Sequence, residues 1–347
     1  MTALAGIIAK MIAEEGPMPL DRYMSLCLGH PVHGYYMKRD PFGAAGEFTT
    51  APEVSQVFGE LLGVWVAQAW SAIGSPSRFA LVELGPGRGT LMADMLRVLS
   101  KVEACHKAAK VHFVEMSPVL REAQLEKVPD ATWHDSVASL PAMPTLLVAN
   151  EFFDALPIRQ FERRSGVVFE RRVVADGKGL SIGLLPSAIR MSHDGVMEDS
   201  TIRNAIATHL GDHLKTVGGA GLIIDYGHLQ SALGDTLQAM KSHGFCAITD
   251  HPGEADVTSH VDFEALGKGF IKGGAKVSGV MTQGAFLKAM GLTARTEVLS
   301  RKATGETKQN LIAASERLAH DDQMGQLFKV MAVAGTANTS IYPFGAA

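Results

Sequence analysis

The chain has 347 residues, 20% of them charged and 46% hydrophobic. That balance excludes a disordered chain and suits an α/β fold around one main sheet. The formal net charge of -4 weighs against a strongly basic nucleic-acid binder, local patches aside, and no nucleic-acid partner is expected.

The N-terminal stretch MTALAGIIAKMIAEEGPMPLDRYM carries Lys10 inside its apolar run and Glu14-Glu15 behind it. It reads neither as a secretion signal nor as an Arg-rich, acid-poor transit peptide. No apolar run approaches the ~20 residues that span a bilayer, so a soluble cytoplasmic protein without membrane insertion is expected. Cys27, Cys105 and Cys246 are dispersed. They give no metal spacing or disulfide framework, read as small buried hydrophobes, and suit a reducing compartment. No metal is expected.

Residues 1 to about 75 read as an N-terminal helical region. Ile7, Ile8, Met11 and Ile12 form one helical stripe. Thr50 and Glu53 make a capping box ahead of a second stripe, Val54, Val57, Phe58, Leu61, Leu62 and Trp65. Between them lies HPVHGYYMKRDPFGAAGEFTT, too long and too aromatic for a plain linker. Its Tyr35, Tyr36, Glu47, Phe48 and Thr49 are candidates for a lid, with a packed structural loop as the competing view.

From residue 76 a second region runs to 347. FALVE, VHFVE, ATWHD and TLLVANE alternate with helical stretches between residues 79 and 154, the signature of βαβ units and a mainly parallel sheet. RQFERRSGVVFERRVVADGKGLSIGLL then brings β-branched runs broken by Ser-Gly and Asp-Gly, an inserted segment of antiparallel hairpins at about 160–215. IRNAIATHLGDHLKTV reads as a helix, AGLIIDYG as a buried strand, QGAFLKAMG as a helix and TARTEVL as a strand. A final segment lies near QLFKVMAVAG.

Each apolar run ends in an acid: Glu83, Glu115, Asp135, Glu151 and Asp225. One such acid is ordinarily a helix cap. Five on one rim, outside the carboxyl ends of parallel strands, point to a ligand rich in hydrogen-bond donors. The first turn, VELGPGRGT, sets Gly85, Gly87 and Gly89 between strand and helix. Thr90 stands where a dinucleotide fingerprint needs its third glycine, and no phosphate-loop Gly-Lys-Ser/Thr motif occurs. Acid-x-Gly-x-Gly-x-Gly resembles motif I of class I S-adenosylmethionine methyltransferases. Such a cofactor explains the acids. Glu115 is placed for the two ribose hydroxyls, Asp135 with Ser136 for the adenine amino group, and Glu83 for the glycine loop or the ammonium end. Asn150 joins this cofactor set.

The motifs HGYY, FGAAGEFTTAPEVSQVFGELLGVW, VELGPGRGTLMADMLR, ANEFFDALPIRQF, LIIDYG, PGEADVTSHVDF and TQGAFL stand in order along most of the chain. In these the chain resembles the MidA family of S-adenosylmethionine-dependent methyltransferases. One departure is TLQAMKSH, where Gln238 and Met240 replace a basic and an aromatic residue of the relatives. The resemblance implies a class I, Rossmann-like fold and S-adenosyl-L-methionine as cofactor. It also implies a protein substrate, with symmetric dimethylation of an arginine on a respiratory complex I subunit during assembly. Glu151 leads the catalytic set, Asp154 supports it, and His260 is a candidate to assist proton removal. Phe152, Phe153, Asp225 and Tyr226 are candidate substrate-binding residues. The alternatives are a cofactor-binding assembly factor with little turnover and a small-molecule methyltransferase.

Overall fold

The structure, a computed structural model, describes residues 2–38, 50–336 and 339–345. Seven strands build the central sheet: β1 (Phe79–Leu84), β2 (Ala109–Val114), β3 (Thr132–His134), β4 (Thr145–Asn150), β5 (Gly219–His228), β6 (Lys276–Thr282) and β7 (Phe328–Ala334). Their spatial order is β6-β7-β5-β4-β1-β2-β3. The first five run parallel, and β7 enters antiparallel between β5 and β6. A two-residue strand, Val261–Asp262, pairs in parallel with the last residues of β5.

Period-two alternation splits the apolar residues between the two faces of this sheet. Leu81, Leu146, Val148, Leu222 and Val330 face one core, with the helices Gln56–Ala72 and Thr90–Leu99. Val82, Leu147, Ile223 and Val333 face the other, under the helices Thr201–Val217 and Phe263–Lys272. Both faces are therefore dry, which is why these strands read as nearly continuous apolar runs. The strand order reverses between β1 and β4, and a ligand crevice opens at such a switch point.

The hairpin segment forms a separate antiparallel sheet of Arg159–Arg164, Val167–Asp176, Gly179–Pro186 and Gly195–Asp199, joined by Met18–Pro19. The helices Ala3–Glu15 and Leu20–Gly29 share a third core with it. A three-stranded sheet, Gly244–Cys246, Gln238–Lys241 and Asp256–Thr258, stands after β5.

Two local expectations are corrected. TARTEVL lies inside the helix Leu292–Lys302, not in a strand. Packing against the helix Gly305–Ala319 and an Arg295–Glu60 ion pair of 2.8 Å outweigh its β-branched composition. The Thr50–Glu53 capping box does not close either. Thr50 caps the short helix Ala51–Val54 through its carbonyl alone, and the Glu53 carboxylate accepts from Thr90 Oγ1 at 2.8 Å instead. The long helix begins at Ser55, whose hydroxyl accepts from Val57 N. Of the candidate lid, Tyr35 and Tyr36 are described, whereas Glu47, Phe48 and Thr49 lie outside the described residues.

Candidate active site

Two cavities flank the switch point and share the walls Tyr36, Gly85, Gly87 and Glu151. The first, about 440 Å³, lies over the ends of β1 and β2. Gly85, Gly87 and Gly89 all hold positive φ, +61°, +52° and +75°, a conformation that costs any other L-residue energy. A Cβ on Gly85 would also stand 3.0 Å from the Phe152 ring. The backbone is thereby kept bare on the cavity side.

Glu115 follows β2. Its Oε1 accepts from Ser117 N at 2.7 Å and its Oε2 from Gln124 Nε2 at 3.3 Å, leaving lone pairs on both oxygens. Burial raises its pKa. Gln124 had no signal in the sequence, being one polar residue in an amphipathic helix. It is fully buried, and the same amide donates to Gly87 O at 2.7 Å and accepts from Trp133 Nε1 at 2.8 Å. One side chain thus ties the glycine turn to Glu115. Met116, largely exposed, and Val137 supply apolar walls. Asp135 and Ser136 stand at the outer edge, Asp135 paired with Arg121 at 2.5 Å and Ser136 turned to Ala138 N at 3.2 Å.

The second cavity, about 320 Å³, lies over β1, β4 and β5. Five carboxylates line it, Glu53, Glu83, Glu151, Asp154 and Asp256, against Arg88. Glu83 is buried, its Oε2 has no hydrogen-bond partner among the described residues, and burial holds its pKa well above the carboxylate range. Asn150 Nδ2 donates to Glu151 Oε1 at 3.1 Å, and Ala51 N donates to the same oxygen at 3.3 Å. Burial first, then the neighbouring Asp154, push the Glu151 pKa up to about 7. Its backbone sits at φ +51°, an uncommon conformation for a glutamate. Asp154 accepts from Tyr226 Oη at 2.8 Å through Oδ2, while its Oδ1 has no partner among the described residues. His260 stacks edge-on against Tyr226, and burial lowers its pKa.

Two expected acceptor-binding residues stand elsewhere. Asp225 lines neither cavity. Its carboxylate is taken by backbone amides, Phe153 N at 3.0 Å, Asp154 N at 3.2 Å and Tyr226 N at 2.9 Å. Phe153 is fully buried in the sheet core, because the turn after β4 sends its side chain inward while Phe152 faces the first cavity. Arg203, unremarked in the sequence, clamps the same loop from below. It donates to the carbonyls of Asp154 (2.9 Å) and His260 (2.8 Å) and to Ser259 Oγ (2.7 Å).

Residues 61–281 match a protein family described as "Putative S-adenosyl-L-methionine-dependent methyltransferase". The chain is 34% identical to the Danio rerio protein arginine methyltransferase NDUFAF7, over 95% of this chain and 86% of that one. It is 36% identical to the Mus musculus protein of the same name, over 93% and 82%. Among solved structures, a Burkholderia thailandensis protein bound to S-adenosyl-homocysteine superposes with a TM-score of 0.84 at 26% identity, over 99% of this chain and 95% of that one. The cytoplasmic location expected from the N-terminal composition is overturned, since these curated relatives are named as mitochondrial proteins. The composition of the first residues does not carry the compartment. Among the described residues, no helix is long and apolar enough to cross a membrane.

Proposed function

This chain belongs to the family of S-adenosyl-L-methionine-dependent methyltransferases, and from that membership we propose that it methylates arginine side chains of a protein at the wall between its two cavities. The cofactor, when bound, supplies an electrophilic methyl group on a cationic sulfonium. The donor set suits it. Glu115 offers two acceptor oxygens to a vicinal diol. Met116 and Val137 offer apolar walls to a flat base, with Asp135 and Ser136 at its polar edge. The free Oε2 of Glu83, with Asn150 beside it, suits an ammonium group.

The observation that carries the reading is Glu151, a carboxylate with a pKa of about 7 on the wall common to both cavities. A guanidinium stays charged to a pH above ~12, and carboxylates grip its planar fork in defined directions. Glu151 and Asp154 orient two of its nitrogens, which localises a lone pair on the third and aims it at the neighbouring cavity. Tyr226 holds Asp154 Oδ2 and leaves Oδ1 for the acceptor. Glu151 takes the proton that the methylated nitrogen gives up. His260, which lines the same cavity against the Tyr226 ring, is the further candidate to assist proton removal. Phe152 keeps water from the wall.

Glu151→Gln tests this. Binding of S-adenosyl-homocysteine by calorimetry is expected to survive, while methyl transfer to arginine peptides falls by roughly a hundredfold or more. Normal turnover would sink the assignment. The finer reading, symmetric dimethylation on a respiratory complex I subunit, rests on the motif resemblance. Mass spectrometry of that complex from cells lacking this chain tests it, and an unchanged arginine methylation pattern would reject it.

A further inference from the structure

The mouth of the acid-lined cavity carries a surface that the transfer chemistry does not use. Phe245 is 74% exposed, the most exposed large apolar side chain among the described residues, and it lines the cavity. Strand register explains its aim. Phe245 pairs directly with Met240, and Met240 pairs with Asp256. Paired residues share a face of a sheet, so Phe245, Met240 and Asp256 form one cross-strand row over two interstrand spacings, about 10 Å. The row is graded. Phe245 stands in solvent, Met240 is half-buried, and Asp256 is buried and accepts from the Tyr36 hydroxyl at 3.0 Å.

The hairpin that projects Phe245 turns in two residues, Ser242 and His243, at φ +50° and +63°. That is the tight twisted turn that glycine or asparagine ordinarily fills. Leu327, 45% exposed and just ahead of β7, lines the same cavity. The mouth is therefore apolar on two sides, and the floor is acidic.

We propose that this rim docks the acceptor polypeptide, and that it selects arginines flanked by a large apolar side chain. The proposal rests on the arginine methyltransferase reading. The complementarity is of two kinds at fixed separation: carboxylates below for the cation, and Phe245, Met240 and Leu327 above for its neighbour in sequence. A free guanidine or a glycine-flanked arginine satisfies only the floor.

Two peptides test it with the full chain and labelled S-adenosyl-L-methionine, one with arginine between leucines and one with arginine between glycines. The intact protein is expected to prefer the leucine peptide in kcat/KM by about tenfold or more, the worth of burying one such side chain. Phe245→Ser is expected to cut that ratio to within about threefold of unity, and Leu327→Ser to lower it in the same direction. An unchanged ratio in both variants, or no preference in the intact protein, overturns the rim. Transfer to neither peptide by the intact protein overturns the arginine reading, and the rim with it.

Discussion

Glu151 sits at φ +51° with its carboxylate buried, two backbone or amide donors on one oxygen, and a pKa of about 7. If it accepts the acceptor's proton, kcat/KM rises with pH through about 7 and levels above it. A rate profile from pH 5.5 to 9 with no limb near that value would remove Glu151 from proton transfer. Glu115→Ala removes the two acceptor oxygens that the proposed function assigns to the cofactor's diol. It is expected to weaken S-adenosyl-homocysteine binding by about tenfold or more, and unchanged calorimetric affinity would take it out of the site. Both acids were legible in the sequence because each ends an apolar run, a pattern that survives without any partner. Gln124 and Arg203 were not. Each is one polar residue on an amphipathic helix, and its meaning comes from backbone carbonyls or side chains distant in sequence.

The turn after β4 is the element on which both cavities depend. It carries Glu151, Phe152 and Asp154 on one short segment, and two buried side chains hold it: Asp225 through its amides and Arg203 through its carbonyls. Arg203→Met leaves Asp154 and Asp225 without their buried counter-charge. A loss of about 3–5 kcal/mol is expected in chemical denaturation, and a variant within 1 kcal/mol of the parent would show that the clamp is dispensable. This clamp also explains why Asp225 and Phe153, expected at the acceptor, stand outside both cavities. Strand-end position predicts the rim of the sheet, but not whether the carboxylate turns out to the crevice or back to the chain. The helix Leu292–Lys302 is the same lesson in secondary structure, since a β-branched stretch becomes helical where it packs on Gly305–Ala319 and Glu60.

Across the chain, the fold concentrates buried acids at the switch point, and their raised pKa values make the site a cost at high pH. For Glu151 the sign is definite. Its folded pKa, about 7, exceeds the ordinary 4.5, so the folded state holds the proton longer. Its contribution to stability is intact below pH 4.5 and is lost as pH rises through about 7. Asp262, which burial would raise but which His228, the Ala265 amide and Ser231 hold at about 2, and His112, pushed to about 4 by burial, act in the opposite sense. A comparison of variant with parent isolates Glu151. The stability gained by Glu151→Gln is expected to grow from near zero at pH 4.5 to about 3 kcal/mol at pH 8. Parallel denaturation curves at both pH values would contradict it.

The alternation of apolar runs and helical stripes determined the parallel sheet, because strand and helix periodicities are local and the demand for two dry faces is written into each run. The glycine spacing likewise marked the first turn, since a left-handed backbone needs glycine wherever the chain goes next. Which acids face a cavity, which buried arginine holds the loop, and which exposed phenylalanine stands over the acidic floor were decided by folding. Each depends on register and burial between segments such as Asp154 and Tyr226, or Phe245 and Asp256, that no local pattern connects.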